Sequence, residues 1–491
     1  MENQDLAKKN PSDISNRPIF FLDGDSIAIV DLSCVYDALF DAFDRLTRSD
    51  LNFRDKKYVQ HLSNWMEHEA TNILKRVFPA NHVYQQLTYP DPDKEKGETE
   101  LDGAVQWGPF LLLIEVKGRQ FRPQSRLGDI ARLRDDLRKN IEEAHVQANR
   151  AKRYIQGNDT VVFREKASGR ELTVSKSNLR RIYPISVTLH FFAGLTTQLS
   201  RLKSLGLFGE SDYPWSVSLA DLDTITEFVK TPDILLHYIK RRIELQGSES
   251  RIVSDELDLF GVYLDTRLPP SLLWERKTDD GQSFDFMNIG GGSERFDDWY
   301  QYQRGFGEKP IIRLDLPDNV IELLDEFRRR DEDHARWIAF ALLDLSPEAI
   351  FAVSNALSKY RGEVGPPGKL LRWSWRSGDI SLSLVFARGF HVDELRRHTF
   401  ARTNLERYRH KADRGIAIGI EVEDKLRPFE CCCMIEEQWE YDEELESILR
   451  RDASKLLTNR KLPGRNEPCL RESGIKFKKC CLDRIQSQRH K

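Results

Sequence analysis

Apolar positions recur along this chain with two periods, near two and near 3.6, and the switches between them mark out its elements. Ile19-Phe20-Phe21-Leu22 and Ile27-Ala28-Ile29-Val30 flank Asp23-Gly24-Asp25 and read as a hairpin. From Tyr58 to Phe78 the spacing is helical, with Leu62, Trp65, Ala70, Ile73, Leu74 and Val77 on the apolar side. Strands are expected around Leu101–Gln106 and Phe110–Lys117. A long amphipathic helix follows, carrying Ile130, Leu133, Leu137, Ile141, Ala144, Ala148, Ala151 and Ile155 at intervals of three and four. Ile182–Phe192 is rich in branched and aromatic residues and reads as a strand. Trp215–Leu245 holds a short strand and helical material. Lys277–Gly307, polar and bearing Gly290-Gly291-Gly292, reads as a loop or boundary. Beyond it, helices are expected near Val320–Leu343, Pro347–Tyr360 and Val392–Lys411, and strands near Ile380–Phe386 and Ile416–Val422.

Composition narrows the class. A chain of 491 residues exceeds one ordinary core, and 40% hydrophobic content with nine Trp and twenty-six Phe suffices to build two. No apolar run approaches the roughly 20 residues of a membrane span. Met1–Arg17 is polar and lacks the apolar stretch of a secretory signal, so a cytoplasmic protein without membrane contact is expected. The seven cysteines, with Cys431, Cys432 and Cys433 adjacent and Cys469, Cys480 and Cys481 near the end, suit metal binding or reduced thiols better than a disulfide framework. The formal net charge of −4 argues neither for nor against nucleic acid. Locally, Lys117 to Arg153 holds eleven Lys/Arg and five Asp/Glu, a net of +6, beside the segment that carries the candidate chemistry.

That chemistry lies in the two strands joined by Gly108-Pro109. With the turn centred between these residues, Asp102 and Glu115 fall opposite one another, where Cβ atoms stand about 4.5–5.5 Å apart. Side chains alternate along a strand, so Lys117 shares the face of Glu115. Two opposed carboxylates destabilise a sheet unless something neutralises them, and hard oxygen ligands of this kind suit Mg²⁺ or Mn²⁺. The strand leading to Glu115 is almost wholly apolar, as in a buried central strand.

Asp102 followed by Glu115-Val116-Lys117 across a hairpin resembles the signature of the PD-(D/E)xK nuclease superfamily, over about residues 57–192. The resemblance implies a restriction-endonuclease-like α/β core, metal held by Asp102 and Glu115, a water oriented by Lys117, and hydrolysis of DNA. It also implies a Glu on the preceding helix, Glu67 in preference to Glu69, and a Gln on the following one, Gln147. Domains are accordingly expected as a disordered 1–18, a nuclease-like unit over 19–275 with extensions, a linker over 276–309, a second mixed α/β domain over 310–455, and a linker with a short metal-motif tail over 456–491.

Gly464-Arg465-Asn466-Glu467-Pro468-Cys469, then Ser473-Gly474, Phe477 between lysines and Cys480-Cys481, resembles the SEC-C zinc module. The resemblance implies Zn²⁺ and a protein-docking role. Arg471 stands where the module has its second ligand cysteine, which leaves Cys469, Cys480 and Cys481. Structural zinc is nearly always four-coordinate, so stoichiometric zinc is not expected unless His490 or one of Cys431–Cys433 supplies the fourth ligand. Asp23-Gly24-Asp25 resembles the nucleophile loop of haloacid-dehalogenase phosphatases, but a hairpin turn explains it more simply. Two functions follow as expectations. One is a metal-dependent DNA nuclease; the other is a non-catalytic nucleic-acid- or protein-binding scaffold on a decayed nuclease fold.

Overall fold

The computed structural model describes residues 49–457 except 120, 127, 193, 210–211, 248–250, 270–285 and 425–426, together with 19–21, 26–29, scattered positions from 35 to 47, 465–466 and 476–480. The chain forms two compact units. One comprises Met1–Leu235, Ile239–Gly261 and Leu273–Pro310; the other comprises Leu236–Tyr238, Val262–Leu272 and Ile311–Lys491. Each is mixed α/β. Strands β1 (Ile19–Phe21) and β2 (Ile27–Ile29) pair antiparallel, as the hairpin reading expects. Among the described residues no single helix is long and apolar enough to cross a membrane.

The first unit is organised on a seven-stranded sheet of β3 (Val83–Pro90), β4 (Glu98–Trp107), β5 (Phe110–Lys117), β6 (Thr160–Glu165), β7 (Glu171–Ser175), β8 (Arg181–Thr188) and β9 (Trp215–Ser218), in the order β7-β6-β3-β4-β5-β8-β9. Strands β5, β8 and β9 run parallel to one another, and the pairings on the other side of β5 are antiparallel. Every residue from Phe110 to Val116 is buried, which is why this stretch reads as one unbroken apolar run. Alternation then sends its side chains to two faces. Leu111 and Leu113 pack with Ala148 and Ala151 of the helix after β5, while Ile114 lies beside Gly103 on the face covered by the helix before β3.

That earlier helix, α1 (Val59–Leu74), follows directly on a π-helical turn at Arg54–Tyr58. The later one is continuous but has three parts: α2 (Ile130–Leu137), a π-helical turn at Arg138–Glu142, and α3 (Glu143–Gln156). A π turn inserts a residue into the repeat and re-phases the faces on either side. The apolar stripe holds from Leu137 to Ile155, but Ile130, counted in it from the sequence, is exposed. Trp65, placed on the apolar side of α1, is also exposed, and Met66 takes the buried position. Strand β8 stops at Thr188, short of the expected Phe192.

The stretch read as a linker is partly structured. Its strand β11 (Phe286–Asn288) pairs parallel with β10 (Arg251–Val253), and its helix Glu294–Gln303 buries Phe296 against Phe260. In the second unit, the helix expected over Val320–Leu343 is two, Asp318–Arg329 and Asp333–Leu343, followed by Pro347–Glu363. Its sheet orders β12 (Lys369–Ser377), β13 (Ile380–Arg388), β14 (Arg414–Glu421) and β15 (Cys431–Glu436) in sequence. Helix Val392–His410 makes the crossover between the parallel β13 and β14. Cys431 is buried and Cys432 and Cys433 half-buried in β15; burial pushes all three thiols up, Cys432 to about 12, which disfavours the thiolate that binds metal. Cys469, Arg471, Cys481, His490 and the Cys480 side chain lie outside the described residues, and so does the zinc expectation.

α1 approaches the sheet closely at Gly103: a Cβ there would lie 2.8 Å from Thr71 Cγ2 and 3.3 Å from the Tyr84 carbonyl. Thr71 is branched and cannot turn aside freely, since its hydroxyl donates to the Glu67 and His68 carbonyls. Gly103→Ala is therefore expected to destabilise the protein by about 1–3 kcal/mol, as overpacking does. Urea denaturation followed by far-UV circular dichroism checks this; an unchanged midpoint contradicts the tight helix–sheet contact.

Candidate active site

Trp107 pairs with Phe110 across the Gly108-Pro109 turn, and the register continues to Gly103 opposite Ile114. One step further the two strands part. The Asp102 carboxylate, not the β4 backbone, receives the Val116 N–H, with Oδ2 at 2.8 Å. Asp102 is thus brought against β5 at the level of Glu115, as the hairpin register anticipates. Lys117, on the same face as Glu115, places Nζ 3.3 Å from Glu115 Oε2.

Glu115 is 1% exposed, and among the described residues its Oε1 has no hydrogen-bond donor. Burial pushes this carboxyl well above the usual range; Asp102 pushes it further, and Lys117 only partly opposes them. Burial also raises Asp102, against the Lys117 ammonium and the Val116 N–H, which lower it. Burial thus works against ionising either carboxyl. A buried, unpartnered carboxyl oxygen beside a second carboxylate fits a hard divalent cation. Among the described residues no three His, Cys, Asp or Glu side chains gather as a complete ligand set. Mg²⁺ does not require one, because it keeps several waters and takes one or two carboxylates.

Asp102, Lys117 and Glu67 line a cleft of about 600 Å³ at the C-terminal end of β5. Glu67 arrives from α1; its carboxyl is raised by burial and by Asp102, and lowered by the Gln86 amide and by Lys117. Gln86 Nε2 donates to Glu67 Oε2 at 2.9 Å. Gln86 lies in β3, where continuing the register would set it opposite Asp102, and has φ +44°, an uncommon conformation for a non-glycine residue in a strand. Sequence reasoning missed Gln86, because nothing in Gln85-Gln86 marks one of the pair as left-handed.

Both π turns line the same cleft, one through Arg54, Asp55 and Tyr58, the other through Lys139 and Asn140. Asn140 is 1% exposed, and among the described residues its Oδ1 has no partner. It also went unread, although it is a polar residue set among Leu137, Ile141 and Ala144, and that was the available signal. Gln147 is not brought to the cleft. It lies seven residues further along the helix, about 10 Å, with its Oε1 buried and, among the described residues, unpartnered.

The basic stretch is largely spent on internal ion pairs. Arg122, Arg138 and Lys139 all reach Asp135, whose carboxyl they hold near 2, Lys139 most strongly. Arg150 and Arg153 meet Asp93, and Lys152 meets Asp212. Arg119 is exposed at the mouth of the cleft. Buried Asp136 accepts from the Arg122 N–H and the Ser125 hydroxyl, anchoring the segment that leaves Lys117. Comparison with protein-family models, curated proteins and solved structures gave no match, so the site's own geometry carries the functional reading.

The burial of Glu115 has a measurable cost. A carboxyl whose folded-state pKa lies above its unfolded value loses stability as pH rises through that interval, because only the unfolded chain releases the proton. In chelator, Glu115→Gln is therefore expected to melt above wild type at pH 8, with the gap closing towards pH 4. Thermal melts across this range test it; a Gln variant that melts lower at pH 8 contradicts the uncompensated carboxyl.

Proposed function

We propose that this protein is a Mg²⁺- or Mn²⁺-dependent nuclease that hydrolyses phosphodiester bonds of DNA. The observation that carries the reading is the buried Glu115 carboxyl with its orphan oxygen, set against Asp102 and Lys117 where β4 and β5 part. Support for a PD-(D/E)xK, restriction-endonuclease-like core comes from the hairpin register, the parallel β5–β8 pair, and helices before and after the hairpin on opposite faces of the sheet.

Asp102 and Glu115 would hold the cation. When bound, it supplies charge to polarise the scissile phosphate and lowers the pKa of a water. Lys117, fixed by Glu115, orients that water and offsets negative charge developing at phosphorus. Glu67, kept in place by Gln86, faces the same space and takes up a proton. Arg119, exposed at the mouth, meets the phosphate backbone.

A second reading, a non-catalytic scaffold, draws on one observation: Arg122, Arg138 and Lys139 are committed to Asp135 and leave the cleft with little net positive charge. Cleavage separates the two. Full-length protein with Mn²⁺ or Mg²⁺ is expected to cut linear or plasmid DNA, and Asp102→Ala, Glu115→Ala and Lys117→Ala each to lower the rate at least about a hundredfold. Wild type that leaves DNA intact, or variants that cut as it does, support the scaffold.

A further inference from the structure

Beside the cleft lies a second recess of about 730 Å³, within the size range of sites for small ligands. The two are lined by neighbouring ridges of one helical segment. Asp55, Val59, Ser63 and Glu67 repeat every fourth residue towards the cleft; Trp65, Glu69 and Ile73 repeat in the same way towards the recess. Leu189 and His190 line both, so the two adjoin. They are held to the catalytic strand, for the Leu189 N–H donates to the Lys117 carbonyl at 3.2 Å.

Two exposed aromatic rings, Trp65 and Phe191, line the recess along with the buried Phe121. Trp65 is 48% and Phe191 51% exposed, and neither meets another ring among the described residues. Neither is explained by packing: α1 buries Met66 beside Trp65, and Phe192 beside Phe191 packs on Phe121 at 4.7 Å. Among the described residues the recess offers a phosphate no unpaired lysine or arginine: its Arg76 is paired with Asp223 at 2.7 Å, and Glu69 adds a carboxylate. Exposed rings beside carboxylates suit an occupant with flat apolar faces better than an anionic group.

We propose that this recess takes an unstacked nucleobase between or upon Trp65 and Phe191, next to the phosphate handled in the cleft, so that the substrate is single-stranded or locally unwound DNA. A paired base inside a duplex has no free face to offer, whereas every single-stranded base does. The proposal rests on the nuclease reading for the identity of the polymer, and the experiment keeps the two apart.

Binding of a fluorescein-labelled single-stranded oligodeoxynucleotide and of its duplex to the full chain is measured by anisotropy in chelator, and cleavage is measured separately with Mn²⁺. The single strand is expected to bind at least about tenfold tighter than the duplex. Trp65→Ala and Phe191→Ala are each expected to weaken single-strand binding by about 5- to 100-fold, as loss of a stacking partner does, and Trp65→Phe to restore most of it. Both side chains are exposed, so melting midpoints should stay within a few degrees and separate lost stacking from lost fold. Alanine variants that bind as wild type, or equal affinity for duplex, overturn the recess; if wild type still cleaves, the nuclease stands without it. Stacking-dependent binding with no cleavage sustains the recess and overturns the nuclease.

Discussion

The hydrogen bond from the Val116 N–H to the Asp102 carboxylate is the constraint on which the site depends. An antiparallel hairpin left to itself would continue its ladder past Gly103 and Ile114. Here a side chain takes the place of the next backbone acceptor, so β4 and β5 can part without leaving a buried donor unsatisfied. The cleft lies beside this parting and is lined by Asp102, while the Glu115 carboxyl stays buried next to it. Neighbouring elements answer to the same point. Gly103 lets α1 approach closely enough to bring Glu67 in, and the conformation of Gln86 turns its amide onto Glu67.

This arrangement is electrostatically expensive, and the expense is local. Glu115 is surrounded by apolar β-sheet core and faces one ammonium and one carboxyl, an imbalance that packing alone would never select. Positive charge nearby is mostly neutralised by Asp135, Asp136 and Asp93, so it does little to relieve the carboxyls. A divalent cation held by the pair, as proposed, would relieve them directly. Sites that work on charged substrates often carry such a stability cost in the free protein.

Much of this was legible in the sequence, for identifiable reasons. Gly108-Pro109 centres the turn, and the period-two alternation around it places Asp102, Glu115 and Lys117 together; the unbroken apolar run marks β5 as central. Glu67 follows from helical spacing to Ala70 and Leu74. What escaped was whatever departs from ideal periods. The π turn at Arg138–Glu142 holds Asn140, which no helical period marks out, and Gln147, chosen for its face, lies too far along the helix axis to reach the cleft. The positive φ of Gln86 leaves no trace in composition. Trp65 looked like core because apolar residues are assigned inward by default, yet its exposure points to the recess beside the cleft. In 276–309, three consecutive glycines suggested a linker, whereas Gly292 packs its backbone against Asp258 and Gly261 within the first unit.

The claim at the centre of this account is that Asp102 and Glu115 together hold a divalent cation. Calorimetric titration of the chelator-treated full chain with Mn²⁺ tests it most directly. The account predicts saturable binding of one Mn²⁺ per chain, with protons released as the cation displaces them from the carboxyl pair, and loss of that binding in both Asp102→Asn and Glu115→Gln. No saturable binding, or binding that survives both substitutions, would contradict it.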